Sequence, residues 1–125
     1  MDTRRPLIVV VDDDIGMSRA LERLLGAAGF DARVFDSAEA LGASGCARRA
    51  DCLVLDLHLP GVGGAEYYAS LPRPRPPAVL ITAHDGPAAQ RNADRIGAQG
   101  CLVKPFDGTA FLDMIRSALR SGGAR

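Results

Sequence analysis

Residues 7–14 read L-I-V-V-V-D-D-D. Five apolar residues, four of them β-branched, form an unbroken run that lacks the in-and-out alternation of a half-solvated strand and is too short for a core helix. Such a run fits a strand buried on both faces, which is the signature of a parallel sheet covered by helices. The run stops abruptly at three carboxylates, so the first strand leaves the core at a strongly polar rim.

Working outward, Met17, Leu21, Leu24, Leu25 and Ala28 fall on one face of a helix that Asp14 is placed to N-cap and Gly29 to stop at C′. Asp31–Phe35 reads as a second strand, and Asp36 with Glu39 three residues on has the form of a capping box opening a small helix. Cys52–Leu55 is the third strand and ends at Asp56; the loop L-P-G-V-G-G at 59–64 leads to a short helix with Glu66, Tyr67 and Tyr68. Pro72–Pro77 alternates Pro with Arg and reads as a stiff connection to the fourth strand, Ala78–Thr82. Gly86 and Pro87 open a helix closed by Gly97, whose inward candidates, Ala89, Ala93 and Ile96, anchor it weakly. Cys101–Val103 is the fifth strand, and Asp107 caps a last helix with an apolar face of Phe111, Met114, Ile115, Ala118 and Leu119.

Five βα units of this length predict an α/β fold, a doubly wound parallel sheet with right-handed crossovers and helices on both faces. Ligands of such sheets bind beyond the carboxyl ends of the strands. Those ends carry Asp12 and Asp13, Asp56, Thr82 and Lys104, so five polar groups from four segments converge on one rim.

Composition narrows the function. The chain has 125 residues, room for one domain, and fifteen basic residues balance fifteen acidic ones. No net positive field serves nucleic acid or anionic lipid, and no apolar run reaches membrane-spanning length, so neither is expected as a partner and a cytoplasmic protein is expected. Cys46, Cys52 and Cys101 lack C-x-x-C spacing and read as small apolar residues. Fourteen of the fifteen basic residues are Arg and Lys104 is the single Lys, which marks a position suited to a compact ammonium on a flexible stem.

Three carboxylates gathered within several ångströms repel one another unless protons or a cation compensate. Mg²⁺, which takes oxygen ligands and keeps waters and phosphate oxygens in its shell, suits such a cluster.

V-V-V-D-D-D at 9–14, L-D-L-H-L-P-G-V-G-G at 55–64, L-I-T-A-H at 80–84 and V-K-P-F at 103–106 together resemble, in order and spacing, the receiver domains of bacterial two-component response regulators, from about Leu7 to Leu119. The resemblance implies a flavodoxin-like sheet of strand order 2-1-3-4-5. It implies Asp56 as the nucleophile phosphorylated by a histidine kinase or phosphotransfer protein, and Mg²⁺ held by Asp13, by Asp12 mainly through water, by Asp56 and by the His58 carbonyl. Lys104 and Thr82 would take the remaining phosphoryl oxygens, with Thr82 as the switch residue. It further implies a cis bond before Pro105, a tight turn at Gly64, a second copy of the chain as a partner on activation, and tuning of dephosphorylation by His58 and His84. The domain is expected over residues 1–120, with 121–125 as a flexible tail or the start of a linker.

The sequence departs from the pattern at Cys101, where the family usually carries the aromatic ring that follows the threonine, and at Gly100, which replaces a common acidic residue. A haloacid-dehalogenase-type enzyme needs a second Asp two residues after the nucleophile, where this chain has His58. A flavin carrier would offer hydroxyls and amides after strand one rather than three carboxylates. A phosphorylation-independent interaction module is the remaining rival. S-A-E-A at 37–40 and I-T-A-H-D-G-P at 81–87 resemble receivers that precede helix-turn-helix output domains, so a stand-alone receiver and a segment of a longer regulator both stay open.

Overall fold

The computed structural model describes residues 4–83 and 86–121. Its elements are β1 (Leu7–Val11), α1 (Ile15–Ala27), β2 (Asp31–Phe35), α2 (Ala38–Ser44), a 3₁₀ turn (Cys46–Arg48), β3 (Cys52–Asp56), α3 (Gly64–Ser70), β4 (Ala78–Thr82), α4 (Gly86–Ile96), β5 (Gly100–Val103) and α5 (Gly108–Ser121). The strands are all parallel in the order β2-β1-β3-β4-β5, as the resemblance implied.

Side-chain alternation along the strands divides the core in two. Val9, Val11, Leu53, Leu55 and Leu80 pack with Leu41, Tyr68 and Ala93 on the face covered by α2, α3 and α4. Ile8, Val10, Val54, Val79 and Ile81 pack with Leu21, Leu25, Phe111 and Ile115 on the face covered by α1 and α5. Each such Leu, Ile or Phe contributes about 1.5–3 kcal/mol by leaving water, so the sheet's two apolar faces hold the helices in place. α4 buries Ala89, Ala93 and Ile96, two of which offer only a methyl.

The expected caps are found at two helices. Asp14 Oδ1 accepts from Met17 N at 3.2 Å at the start of α1, and Asp107 Oδ1 accepts from Ala110 N at 2.7 Å at the start of α5. Gly29 follows α1 with φ +98°, the left-handed conformation that a C′ residue needs. At α2 the expected capping box of Asp36 and Glu39 is corrected. Ser37 is the N-cap and its Oγ accepts from Ala40 N at 3.0 Å, while Glu39 reaches across to accept from Val62 N at 3.3 Å. A side chain bound for a neighbouring loop is not free to close its own helix. α5 runs through Ser121, one residue into the segment expected to form a tail.

The Pro/Arg segment between α3 and β4 is pinned as well as stiff. Arg75 is buried, donates to Tyr68 O at 2.8 Å and to Ile96 O, and lies 4.1 Å from the Tyr68 ring centre, while Tyr68 OH donates to Pro76 O at 2.6 Å. The bonds before Pro74 and Pro105 are cis.

Candidate functional site

The site is set by strand register. Val11 is level with Leu55, so the next residues, Asp12 and Asp56, leave adjacent strands side by side. Asp56 is level with Ile81, and Thr82 with Val103, so Thr82 and Lys104 arrive at the same rim from β4 and β5. Alternation also sorts the faces. Asp12, Asp56 and Lys104 share the parity of Val10, Val54 and Leu102, which pack toward α1 and α5, whereas Thr82 and Cys101 have the parity of Leu80 on the α3/α4 side.

Carboxylate oxygens of Asp12, Asp13 and Asp56 all lie within 4.8 Å of one another, with Asp12 and Asp56 buried and Asp13 exposed. Lys104 Nζ donates to Asp12 Oδ2 at 3.0 Å and stands 3.4 Å from Asp56 Oδ2, so one ammonium bridges carboxylates from β1 and β3. Burial pushes the Asp12 carboxyl above its ordinary range. Hydrogen bonds from Asp14 N and Lys104 offset only part of that rise, to which the Asp56 charge adds. Burial by itself would lower the Lys104 ammonium; the Asp12 hydrogen bond and charge, then those of Asp56, outweigh it and hold the ammonium above its usual range.

Backbone contacts fix these groups. Asp14 N donates to Asp12 Oδ1 at 2.9 Å, His58 N to Asp56 Oδ1 at 2.9 Å, and Lys104 N to Thr82 O at 2.7 Å. Ser18, which the sequence reading overlooked, donates its hydroxyl to Asp12 O at 3.0 Å and is buried. Its signal was a polar residue on the buried face of α1, one turn before Leu21.

Gly64 owes its identity to close packing rather than to an unusual φ. A Cβ there would stand 2.3 Å from Asp56 O and 3.0 Å from Asp56 C, so the first turn of α3 lies directly on the backbone of the candidate nucleophile. Thr82 is buried at the end of β4, and its Oγ1 lies 3.0 Å from His58 Nε2. Cys101 is half-buried in β5, and burial pushes its thiol up. His84 lies outside the described residues.

The residues present suit a hard divalent cation. Among the described residues the cluster supplies oxygen donors alone, and Lys104 makes both of the salt bridges found there, leaving three carboxylates against one ammonium.

The acidic trio, the ammonium and the threonine lie on the carboxyl-terminal rim of a doubly wound sheet, where ligands of such folds bind. The family model for the response regulator receiver domain matches residues 8–116, and the chain belongs to that family. Its members are phosphoacceptor switch domains of two-component systems, not enzymes in the ordinary sense, and they generally bind Mg²⁺ at an acidic pocket. Nodulation protein W of Bradyrhizobium diazoefficiens is 34% identical over 116 residues, which are 91% of this chain and 51% of the relative. Transcriptional regulatory protein FixJ of the same organism is 32% identical over 120 residues, 94% of this chain and 58% of the relative. A response regulator receiver protein from Burkholderia phymatum has a crystal structure that superposes with a TM-score of 0.82 at 35% identity, covering 93% of this chain and 96% of the other. The chain thus spans about half the length of these two curated relatives. Among the described residues no helix is long and apolar enough to cross a membrane.

Proposed function

We propose that Asp56 accepts a phosphoryl group from a phosphohistidine on a partner kinase or phosphotransfer protein. An Asp56 carboxylate oxygen forms the new O–P bond as the N–P bond to the donor imidazole breaks, and the imidazole leaves with the bonding pair. Asp12, Asp13, Asp56 and the His58 carbonyl would hold Mg²⁺, which supplies charge neutralisation at a phosphoryl oxygen when bound. Lys104 and the Thr82 hydroxyl would receive the other equatorial oxygens. The chain thereby promotes only its own phosphorylation and dephosphorylation, with His58 and His84 tuning the latter. The observation that carries this reading is the Lys104 ammonium shared by Asp12 and Asp56 at 3.0 and 3.4 Å, which gathers the candidate nucleophile, a candidate metal ligand and a phosphoryl-binding cation on one rim.

The output lies outside this segment. Relatives named as transcriptional regulators, together with the half-length match, support a receiver that governs transcription through a further domain. A second copy of the chain would be its partner on activation.

Acetyl phosphate with Mg²⁺ tests the chemistry, since the site needs no kinase once a reactive donor arrives. Intact-mass measurement should show one added phosphoryl group on the wild type and none on Asp56→Asn. Full labelling of Asp56→Asn would remove Asp56 from the role of nucleophile. If the wild type took up neither phosphoryl nor fluoroberyllate, a phosphorylation-independent interaction module would replace this reading.

A further inference from the structure

One hydrogen bond at this rim is not used by the chemistry above: His58 Nε2 to Thr82 Oγ1, 3.0 Å apart and 24 residues apart in sequence. Thr82 has little freedom apart from its side chain. It is level with Val103 in the sheet, its carbonyl accepts from Lys104 N at 2.7 Å, and it is buried. A β-branched side chain has few χ1 wells, so the hydroxyl occupies discrete positions rather than drifting among them. The two ends of the bond can exchange roles with the imidazole tautomer, but Oγ1 occupies one χ1 well at a time, and the well that faces His58 lies on the α3/α4 side of the sheet, away from Asp56.

His58 has the opposite character. Its backbone N–H is tied to Asp56 Oδ1, but its ring stands on the edge of a cleft of about 400 Å³ whose other walls include Ala65, Glu66, Ala88 and Asn92. Ala65 of α3 and Ala88 and Ala89 of α4 contribute only methyl groups to that cleft, which is open beside the imidazole. Cys101, on the same side of the sheet as Thr82, has a single short arm and cannot sweep through comparable space.

We propose that His58 is a positioning residue that latches Thr82: its imidazole holds the hydroxyl in the unphosphorylated chain, and modification of Asp56 exchanges that partner for a phosphoryl oxygen and frees the ring into the cleft between α3 and α4. The movement that an aromatic ring on β5 would make is thus transferred to a ring on the loop after β3. This inference rests on the receiver reading of Asp56.

Titrating the full chain with fluoroberyllate and Mg²⁺ by calorimetry separates the two. Losing one latch hydrogen bond should tighten fluoroberyllate binding of His58→Ala by about threefold to tenfold, the span expected for a single exchanged hydrogen bond. His58→Gln, whose amide reaches similarly and can both donate and accept, should stay close to wild type. In a Thr82→Val background, which keeps the shape and removes the hydroxyl, His58→Ala should change affinity little. Unchanged or weaker binding by His58→Ala, or equal tightening with and without the Thr82 hydroxyl, overturns the latch while leaving the receiver reading intact. A wild type that does not bind fluoroberyllate overturns both.

Discussion

Lys104 Nζ lies 3.0 Å from Asp12 Oδ2, a contact that joins residues 92 positions apart and places the chain's single lysine against its first strand. With Asp56 on its other side, this ammonium compensates two buried carboxylates. Removing one partner of a buried pair costs ~3–5 kcal/mol, and because the Lys104 side chain keeps 19% exposure we predict about 1–3 kcal/mol for Lys104→Ala without metal. Millimolar Mg²⁺ should recover more stability in the mutant than in the wild type, measured by urea unfolding with and without the ion. Phosphorylation of Asp56 should persist in part, whereas amide-exchange changes over residues 86–103 on fluoroberyllate binding should shrink; changes equal to wild type would show that Lys104 does not couple the site to β5 and α4.

Gly64→Ala tests the contact between α3 and the candidate nucleophile. An added methyl 2.3 Å from Asp56 O must displace backbone, because neither group is the end of a flexible side chain. Overpacking of this kind costs ~1–3 kcal/mol, and the displaced Asp56 should also lose phosphorylation rate with acetyl phosphate. A mutant matching wild type in urea midpoint and in labelling rate would mean that α3 moves aside freely.

Arg75 ties the carbonyl end of α3, through Tyr68 O, to that of α4, through Ile96 O. Arg75→Ala leaves those buried carbonyls short of donors and removes the cation from the Tyr68 ring, so a loss of about 2–4 kcal/mol is expected from two charged hydrogen bonds. Arg75→Lys should rescue little, since an ammonium cannot span both carbonyls as a planar fork does. Thermal unfolding of the two variants gives the comparison, and rescue by lysine would reduce Arg75 to a point charge.

The thiols should report on the missing aromatic. Cys52 is fully buried and its pKa is pushed up to about 12, and burial also pushes up the thiol of the half-buried Cys101. In a Cys46→Ala, Cys52→Ala background the labelling rate of Cys101 should change less than about threefold on adding Mg²⁺ and fluoroberyllate, since threefold corresponds to ~0.65 kcal/mol of altered access. Tenfold protection would make Cys101 itself the moving element and leave no place for the His58 latch.

Much of this molecule is written in local pattern. The β-branched run 7–11, the apolar spacing of Met17 to Ala28 and the polar strand ends are short-range signals, and the doubly wound topology follows from them because each strand and helix has apolar surface that only this layering buries. The polar rim itself was legible for the same reason, since Asp12, Asp56, Thr82 and Lys104 each end or directly follow a strand and Asp13 comes one residue later.

What the sequence leaves undetermined is which side chains meet across the rim and between layers. Asp36 and Ser37 are equally plausible caps by type, and the choice fell to Ser37 while Glu39 went to the loop after β3. Gly64 looked like a turn residue and is a packing residue; Arg75 looked like part of a stiff connection and is also a buried clamp. The pairing of His58 with Thr82 and the sharing of Lys104 by Asp12 and Asp56 join positions 24, 92 and 48 residues apart. Periodicity fixes the face on which a residue lies, but a hydrogen bond depends on sub-ångström distances set by register, twist and the packing of both helical layers, and those exist only once the chain has closed on itself.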